Sequence, residues 1–270
     1  MDTEQKKILH FTYRMRMLYD EPVRKAYFTL KGIPRSNARQ KITELSISLS
    51  PDSDQRKGTD GFGNRYLYGT VDTEHRSFLY QVEGKAKIGQ ILYEEPADEN
   101  LIPVFRHAYG MNRSGETLQY FYKKNAPQLE ENDYVNAVFL MHLLHQEFSY
   151  KKGMTGVKTT AEEAWRAGGG VCQDYVHIYI ALCHMAGIAA RYVNGLILGE
   201  GESHAWAEIL YRGRWIGVDP TNDCLVARSH IKFGHGRDAS DCLINKGLLR
   251  GGGNQHQEIY VSVKEEGQDE

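Results

Sequence analysis

The chain has 270 residues, and its 33 Lys and Arg against 35 Asp and Glu leave a formal net charge of -2. That balance excludes a bulk electrostatic pull toward nucleic acid or an anionic membrane. No apolar run approaches the ~20 residues of a membrane helix, and the start MDTEQKKILHFTYRMR lacks the apolar stretch of a secretory signal, so a soluble cytoplasmic protein is expected.

The first third alternates with a period of two. Phe11, Tyr13, Met15 and Met17 share one face, opposite His10, Thr12, Arg14 and Arg16. Leu45, Ile47 and Leu49 alternate with serines, and Phe78, Tyr80 and Val82 repeat the pattern. Between them Asp60-Gly61-Phe62-Gly63-Asn64 marks a turn ahead of Tyr66, Leu67 and Tyr68. Short strands punctuated by turns predict an antiparallel β-sandwich, a module without cysteine or chemical motif. The polar stretch Glu94-Glu95-Pro96-Ala97-Asp98 suggests a linker, which divides the chain into residues 1–96 and 97–270.

The period then changes. Val135, Val138, Phe139, His142 and Leu143 predict one helical face, with Asp133 as cap. Thr160-Ala161-Glu162-Glu163 opens a second helix that must stop at Gly168-Gly169-Gly170. A long apolar helix follows from Cys172. Strands are expected at Arg191–Val193, Leu196–Leu198, Ala205–Tyr211 and Trp215–Val218, and again at Glu258–Val263 before an acidic tail. Helices followed by an antiparallel sheet make the second part α+β.

The four cysteines, Cys172, Cys183, Cys224 and Cys242, show no paired spacing, and a free cysteine is by default a small buried hydrophobe. Cys172 differs in its surroundings. It follows three glycines at a helix start, where the dipole favours a thiolate, backbone N–H groups can hold an oxyanion and glycines leave space before the sulfur. Those features alone also fit a plain buried cysteine. A base must come from elsewhere in the chain. His204 stands where a loop enters a strand, and Asp219 ends the next strand; the tight Arg212-Gly213-Arg214 turn joins the two into a hairpin that makes them neighbours. Asp219 is then able to orient His204 toward the thiol.

The stretch from Gly168 to Asn222 resembles the transglutaminase-like superfamily in its bacterial branch. The matching segments are Gly170-Val171-Cys172-Gln173-Asp174, Gly187-Ile188-Ala189-Ala190-Arg191-Tyr192-Val193, His204-Ala205-Trp206-Ala207-Glu208 and Asp219-Pro220-Thr221-Asn222, in order and spacing. Gly61-Phe62-Gly63-Asn64 and Gly236-Arg237-Asp238-Ala239-Ser240-Asp241 also resemble that branch. The resemblance implies a papain-like α+β core behind an N-terminal β-sandwich, with Cys172, His204 and Asp219 as triad. His184 and Asn194 depart from the pattern, where arginine and serine are more usual.

Supporting candidates are Asp174, expected to steady the helix start, and Trp206, either packed over the triad or simply inward-facing. Tyr150 is a candidate oxyanion donor whose plainer role is core packing. Arg237 and Asp238 either line the cleft or are solvated loop charges. Despite 11 histidines there is no CxxC and no HExxH, so no metal and no cofactor is expected. The sequence thus points to a cysteine acyl-transfer enzyme acting on a peptide or protein substrate. Release of the acyl group by water makes it a protease or amidase, and release by an amine makes it a transglutaminase or ligase. A non-catalytic binding module is the alternative from another class. No nucleic-acid or membrane partner is expected, and the oligomeric state is open.

Overall fold

The computed structural model describes residues 7–89, 92 and 94–267. Residues 1–6, at the start of the chain, and residues 268–270 of the acidic tail lie outside the described residues. Strands run in chain order as β1 (Lys7–Ile33), β2 (Gln40–Ser50), β3 (Asp54–Thr59), β4 (Arg65–Val71), β5 (His75–Ile88) and β6 (Glu94–Pro96). Helices α1 (Glu116–Asn125) and α2 (Asp133–Glu147) follow, then β7 (Ser149–Tyr150), α3 (Ala161–Ala167), β8 (Gly169–Gly170) and α4 (Cys172–Met185). The rest is β9 (Ala190–Ile197), β10 (Gly199–Gly201), β11 (His204–Tyr211), β12 (Arg214–Asp219), β13 (Cys224–Leu225), β14 (His230–Gly236), β15 (Asn245–Gly251) and β16 (Gln255–Glu265).

The alternation in β1 puts Phe11, Tyr13, Met15 and Met17 in the core. The strand bends near Pro22, where its register with β5 jumps from Leu18 opposite Ser77 to Val23 opposite His75. Before the bend β1 lies between β5 and β16; after it, between β4 and β15. The two halves face each other across apolar side chains. Phe28 and Phe78 approach to 5.5 Å between ring centroids, and the Tyr80 hydroxyl donates to the Lys31 carbonyl at 2.9 Å. The expected sandwich is therefore one antiparallel sheet curled on itself through β1.

Three of its strands, β10, β15 and β16, come from beyond residue 96, so the sheets do not divide there. On the other side of that boundary, β6 pairs with β12 of the second sheet. The reason is topological: a 27-residue strand with two bare edges needs partners on both, and the C-terminal strands supply one side.

The second sheet has the order β13-β12-β11-β9-β14, with β6 beside β12. Its face toward the helices buries Ala207, Ile209 and Val218 with Leu140, Leu144, Tyr175 and Tyr179. From its other strands Leu196, Ile231 and Phe233 enter the core of the curled sheet, where Phe233 meets Tyr13 edge-on at 6.0 Å. The α2 cap is Asn132, whose side chain accepts from the Tyr134 and Val135 amides, rather than Asp133. Its buried stripe is Ala137, Leu140, Met141 and Leu144, not the Val135–Leu143 face. The helix is apolar on most sides, so its period does not select a face. Packing on α4 does, with the Tyr179 hydroxyl donating to the Ala137 carbonyl at 3.0 Å.

A buried ion cluster ties strands of the second sheet together. Glu208 accepts from Arg191 Nε at 2.6 Å and from Lys232 Nζ at 2.8 Å, while Glu95 accepts from Arg191 at 2.9 Å and Lys232 at 3.0 Å. Burial works against the Glu95 anion, but Lys232 and Arg191 bring its carboxyl down to about 2. The glutamate of the His-Ala-Trp-Ala-Glu segment and the arginine of the Gly-Ile-Ala-Ala-Arg segment are thus partners in a strand clamp.

Candidate active site

The nucleophile candidate is positioned by the chain on both sides of it. Gly168 closes α3 at φ 70°, a left-handed cap that glycine adopts freely. Gly169 and Gly170 then run parallel to Ser149 and Tyr150. A Cβ on Gly170 would lie 2.4 Å from Asp174 Oδ2, so that glycine permits close packing rather than an open space before the sulfur. Cys172 follows as the first residue of α4, half-buried. Asp174, buried in the first turn, accepts from the Val171 amide and the Thr155 hydroxyl, both at 2.7 Å. Burial nonetheless raises its carboxyl.

The hairpin of β11 and β12 turns at Arg212 and Gly213, both with positive φ, and pairs Tyr211 with Arg214 and Ala207 with Val218. The first residue of β11 and the last of β12 therefore sit side by side. His204 Nε2 lies 2.7 Å from Asp219 Oδ2. Burial disfavours a charged imidazole, but hydrogen bonds and charge from Asp219 and Cys172 outweigh it and raise His204 to about 10. With Nε2 committed to Asp219, Nδ1 is the nitrogen left for the thiol.

Asp219 is fully buried and surrounded by donors. Oδ1 accepts from the Thr221 and Asn222 amides, at 3.1 and 3.2 Å. Oδ2 accepts from His204, from Asn222 Nδ2 at 2.7 Å and from His230 Nε2 at 3.0 Å. Burial opposes this anion, but the two imidazoles hold its carboxyl well below the usual range. His230, on β14, belongs to no sequence motif, and only the fold brings it to Asp219. Ligand-type atoms of His204, Asp219 and His230 lie within 4.8 Å of one another. At 2.7 and 3.0 Å the two imidazole–carboxylate contacts are hydrogen bonds.

Residues 122–220, which hold all three residues of the Cys172–His204–Asp219 chain, match the Transglutaminase-like superfamily. Residues 9–87 match the Bacterial transglutaminase-like N-terminal region. The chain has a transglutaminase-like core. An uncharacterized protein of Mycobacterium tuberculosis strain H37Rv is 25% identical over 286 residues, covering 88% of this chain and 86% of that protein. An uncharacterized protein of Mycobacterium leprae is 34% identical over 127 residues, covering 43% of this chain and 45% of its own length. Among solved structures, a candidate cysteine protease from Cytophaga hutchinsonii superposes with a TM-score of 0.81 at 19% identity, over 98% of this chain and 93% of that one.

In this transglutaminase-like core Trp206 is fully buried between two imidazoles. Its ring lies 6.3 Å from His204, nearly parallel, and 5.2 Å from His230, edge-on. It both faces inward and packs on His204. Tyr150 is not a core residue: it is half exposed, and its phenol is raised by partial burial and then by the nearby Cys172. Its place in the short β7 strand, opposite Gly170, brings it to the surface beside the thiol.

Arg237 and Asp238 are neither solvated charges nor neighbours bonded to the triad. Arg237 forks onto Asp241 at 2.8 and 2.9 Å and stacks 3.5 Å from the Tyr109 ring centroid. Buried Asp238 accepts from the Met111 and Ser240 amides. Together they fasten the loop after β14 to residues 109–112. The two departures from the family pattern are also structural: His184 meets the Phe105 carbonyl at 3.0 Å, and Asn194 donates to the Cys242 carbonyl at 2.7 Å.

Proposed function

We propose that the protein is a cysteine-dependent acyl-transfer enzyme that hydrolyses peptide or side-chain amide bonds through a thioester on Cys172. The observation that carries this reading is the buried His204–Asp219 hydrogen bond of 2.7 Å, with Cys172 at the start of α4 near enough to act on the imidazole. His204 takes the thiol proton, and the Cys172 sulfur attacks the amide carbonyl. The Cys172 and Gln173 amides at the start of α4 are the donors for the developing oxyanion. His204 returns its proton to the leaving amine, the C–N bond breaks and the thioester forms. Water then attacks the thioester, giving a proton to His204, and the carboxylic acid leaves as the thiol is restored. Asp219 holds the imidazole throughout. Hydrolysis is favoured over transfer to an amine because water needs no dedicated acceptor site.

The test is to acylate the protein with activated esters and follow the thioester by intact mass. The mass increment is expected on Cys172, lost in Cys172→Ala, and released faster by water than by millimolar primary amine. Release only on adding amine would make the protein a transferase. A protein that never acylates at Cys172 would leave it a binding module of the same fold.

A further inference from the structure

Resting on the reading of Cys172 as nucleophile, we infer that the segment from Ser149 to Thr159 forms an apolar substrate subsite, which selects acyl donors with a bulky apolar side chain beside the scissile carbonyl. This segment is fastened around Cys172 at several points. Ser149 and Tyr150 pair with Gly169 and Gly170, and the Lys151 amide donates to the Gly170 carbonyl at 2.8 Å. Thr155 donates to Asp174 at 2.7 Å, and Gln173 Nε2 donates to the Val157 carbonyl at 3.4 Å. The bonded residues of the catalytic strand and helix, 169, 170, 173 and 174, bracket position 172 on both sides. Across the cleft, Lys152 reaches Glu202, two residues before His204, at 3.3 Å.

A segment held this firmly would be expected to bury its apolar side chains, and it does not. Tyr150 is 51% exposed, Met154 45% and Val157 71%. Met154 Sδ sits 3.2 Å from where a Gly169 Cβ would stand, which places this side chain beside the strand that leads to Cys172. Tyr150 lies opposite Gly170, Met154 Sδ reaches Gly169 and the Val157 carbonyl meets Gln173, so all three residues stand around position 172 and supply the apolar rim of the subsite. Apolar contact with a substrate side chain covers that rim, and pre-organisation keeps the ordering cost low. Met154 adds the adaptable surface that accepts several apolar shapes. A hydrophobic or aromatic residue of a peptide fits the rim; glycine leaves it bare.

The probes are the p-nitrophenyl esters of N-acetyl-phenylalanine, N-acetyl-leucine and N-acetyl-glycine, each rate divided by its rate with free N-acetylcysteine. Iodoacetamide, which carries no side chain, reports Cys172 itself in the same samples. The phenylalanine and leucine esters are expected to acylate Cys172 about tenfold faster than the glycine ester. In the Met154→Ser, Val157→Ser double variant, normalised to its own iodoacetamide rate, that ratio is expected to fall toward one. A ratio near one in the parent protein, or an undiminished ratio in the variant, overturns the subsite while Cys172 stands as nucleophile. Iodoacetamide that fails to single out Cys172 removes the nucleophile and the subsite with it.

Discussion

His204 and His230 hold the same carboxylate oxygen: their Nε2 atoms lie 2.7 and 3.0 Å from Asp219 Oδ2. The Ser229 hydroxyl, 3.0 Å from His230 Nδ1, extends the chain outward. His230→Phe removes one donor from a fully buried anion while preserving a planar ring against Trp206. A hydrogen bond to a charged group contributes about 1.5–3 kcal/mol. The variant is expected to unfold at lower urea by that amount, and His230→Gln, which keeps a donor, to recover part of it. Equilibrium denaturation of the three proteins measures this.

The His204–Asp219 pair gives stability a defined pH window. His204 is raised in the fold from its ordinary 6.5 to about 10, so its contribution is complete below the unfolded value and is lost as pH climbs through about 10. Asp219 is lowered, so its contribution is present above the ordinary carboxylate range and is lost as pH falls below it. Melting temperature is expected to fall on both sides. Asp219→Asn should flatten the alkaline limb in particular, because His204 then lacks its anionic partner. Thermal melts from pH 3 to 11 on both proteins decide it.

Asp219→Asn is also expected to slow acylation of Cys172 by about 10²–10⁴-fold, the range for losing the orienting acid of a triad. The comparison is single-turnover acylation by an activated ester at pH 7. A loss below threefold would mean that His204 is oriented by something else.

Thiol reactivity should separate the four cysteines. Burial pushes Cys183 up to about 12 and Cys224 up to about 11, and it raises Cys242 as well, where the buried thiols are also shielded from reagents. Iodoacetamide at neutral pH is expected to label Cys172 first, by peptide mapping over time. Equal labelling of all four would count against the proposed nucleophile.

The ion cluster should be structural in its effect. Glu208→Gln strips one anion from two buried cations, Arg191 and Lys232, and a broken buried pair costs about 3–5 kcal/mol. Chemical denaturation should register that loss, and soluble yield should drop with it.

The closeness of His204 and Asp219 was legible because local turn chemistry fixed it. Arg212-Gly213 can close only a tight hairpin, and a tight hairpin makes His204 and Asp219 neighbours. The alternation in β1 likewise named its buried face. What escaped the sequence depends on packing between distant segments. His230 meets Asp219 only because β14 lies across β9 from β11. The buried stripe of α2 is chosen by α4, since the helix offers apolar residues in several directions. Arg237 and Asp238 look like loop charges in one dimension; their partners, Tyr109 and Met111, lie more than a hundred positions earlier.

The curling of the first sheet through β1 bears on how the protein is made. A ribosome releases β1 early, yet one flank of that strand is filled only after β15 and β16 emerge, long after it in the chain. Until then the growing chain carries a 27-residue strand with one uncovered edge, the kind of edge on which other strands add. Such pairing between strands far apart in sequence is slow, because a long loop must close before it forms. Completion of the curled sheet thus waits on strands that follow Cys172 in the chain, so the first sheet is closed only after the candidate site has been made.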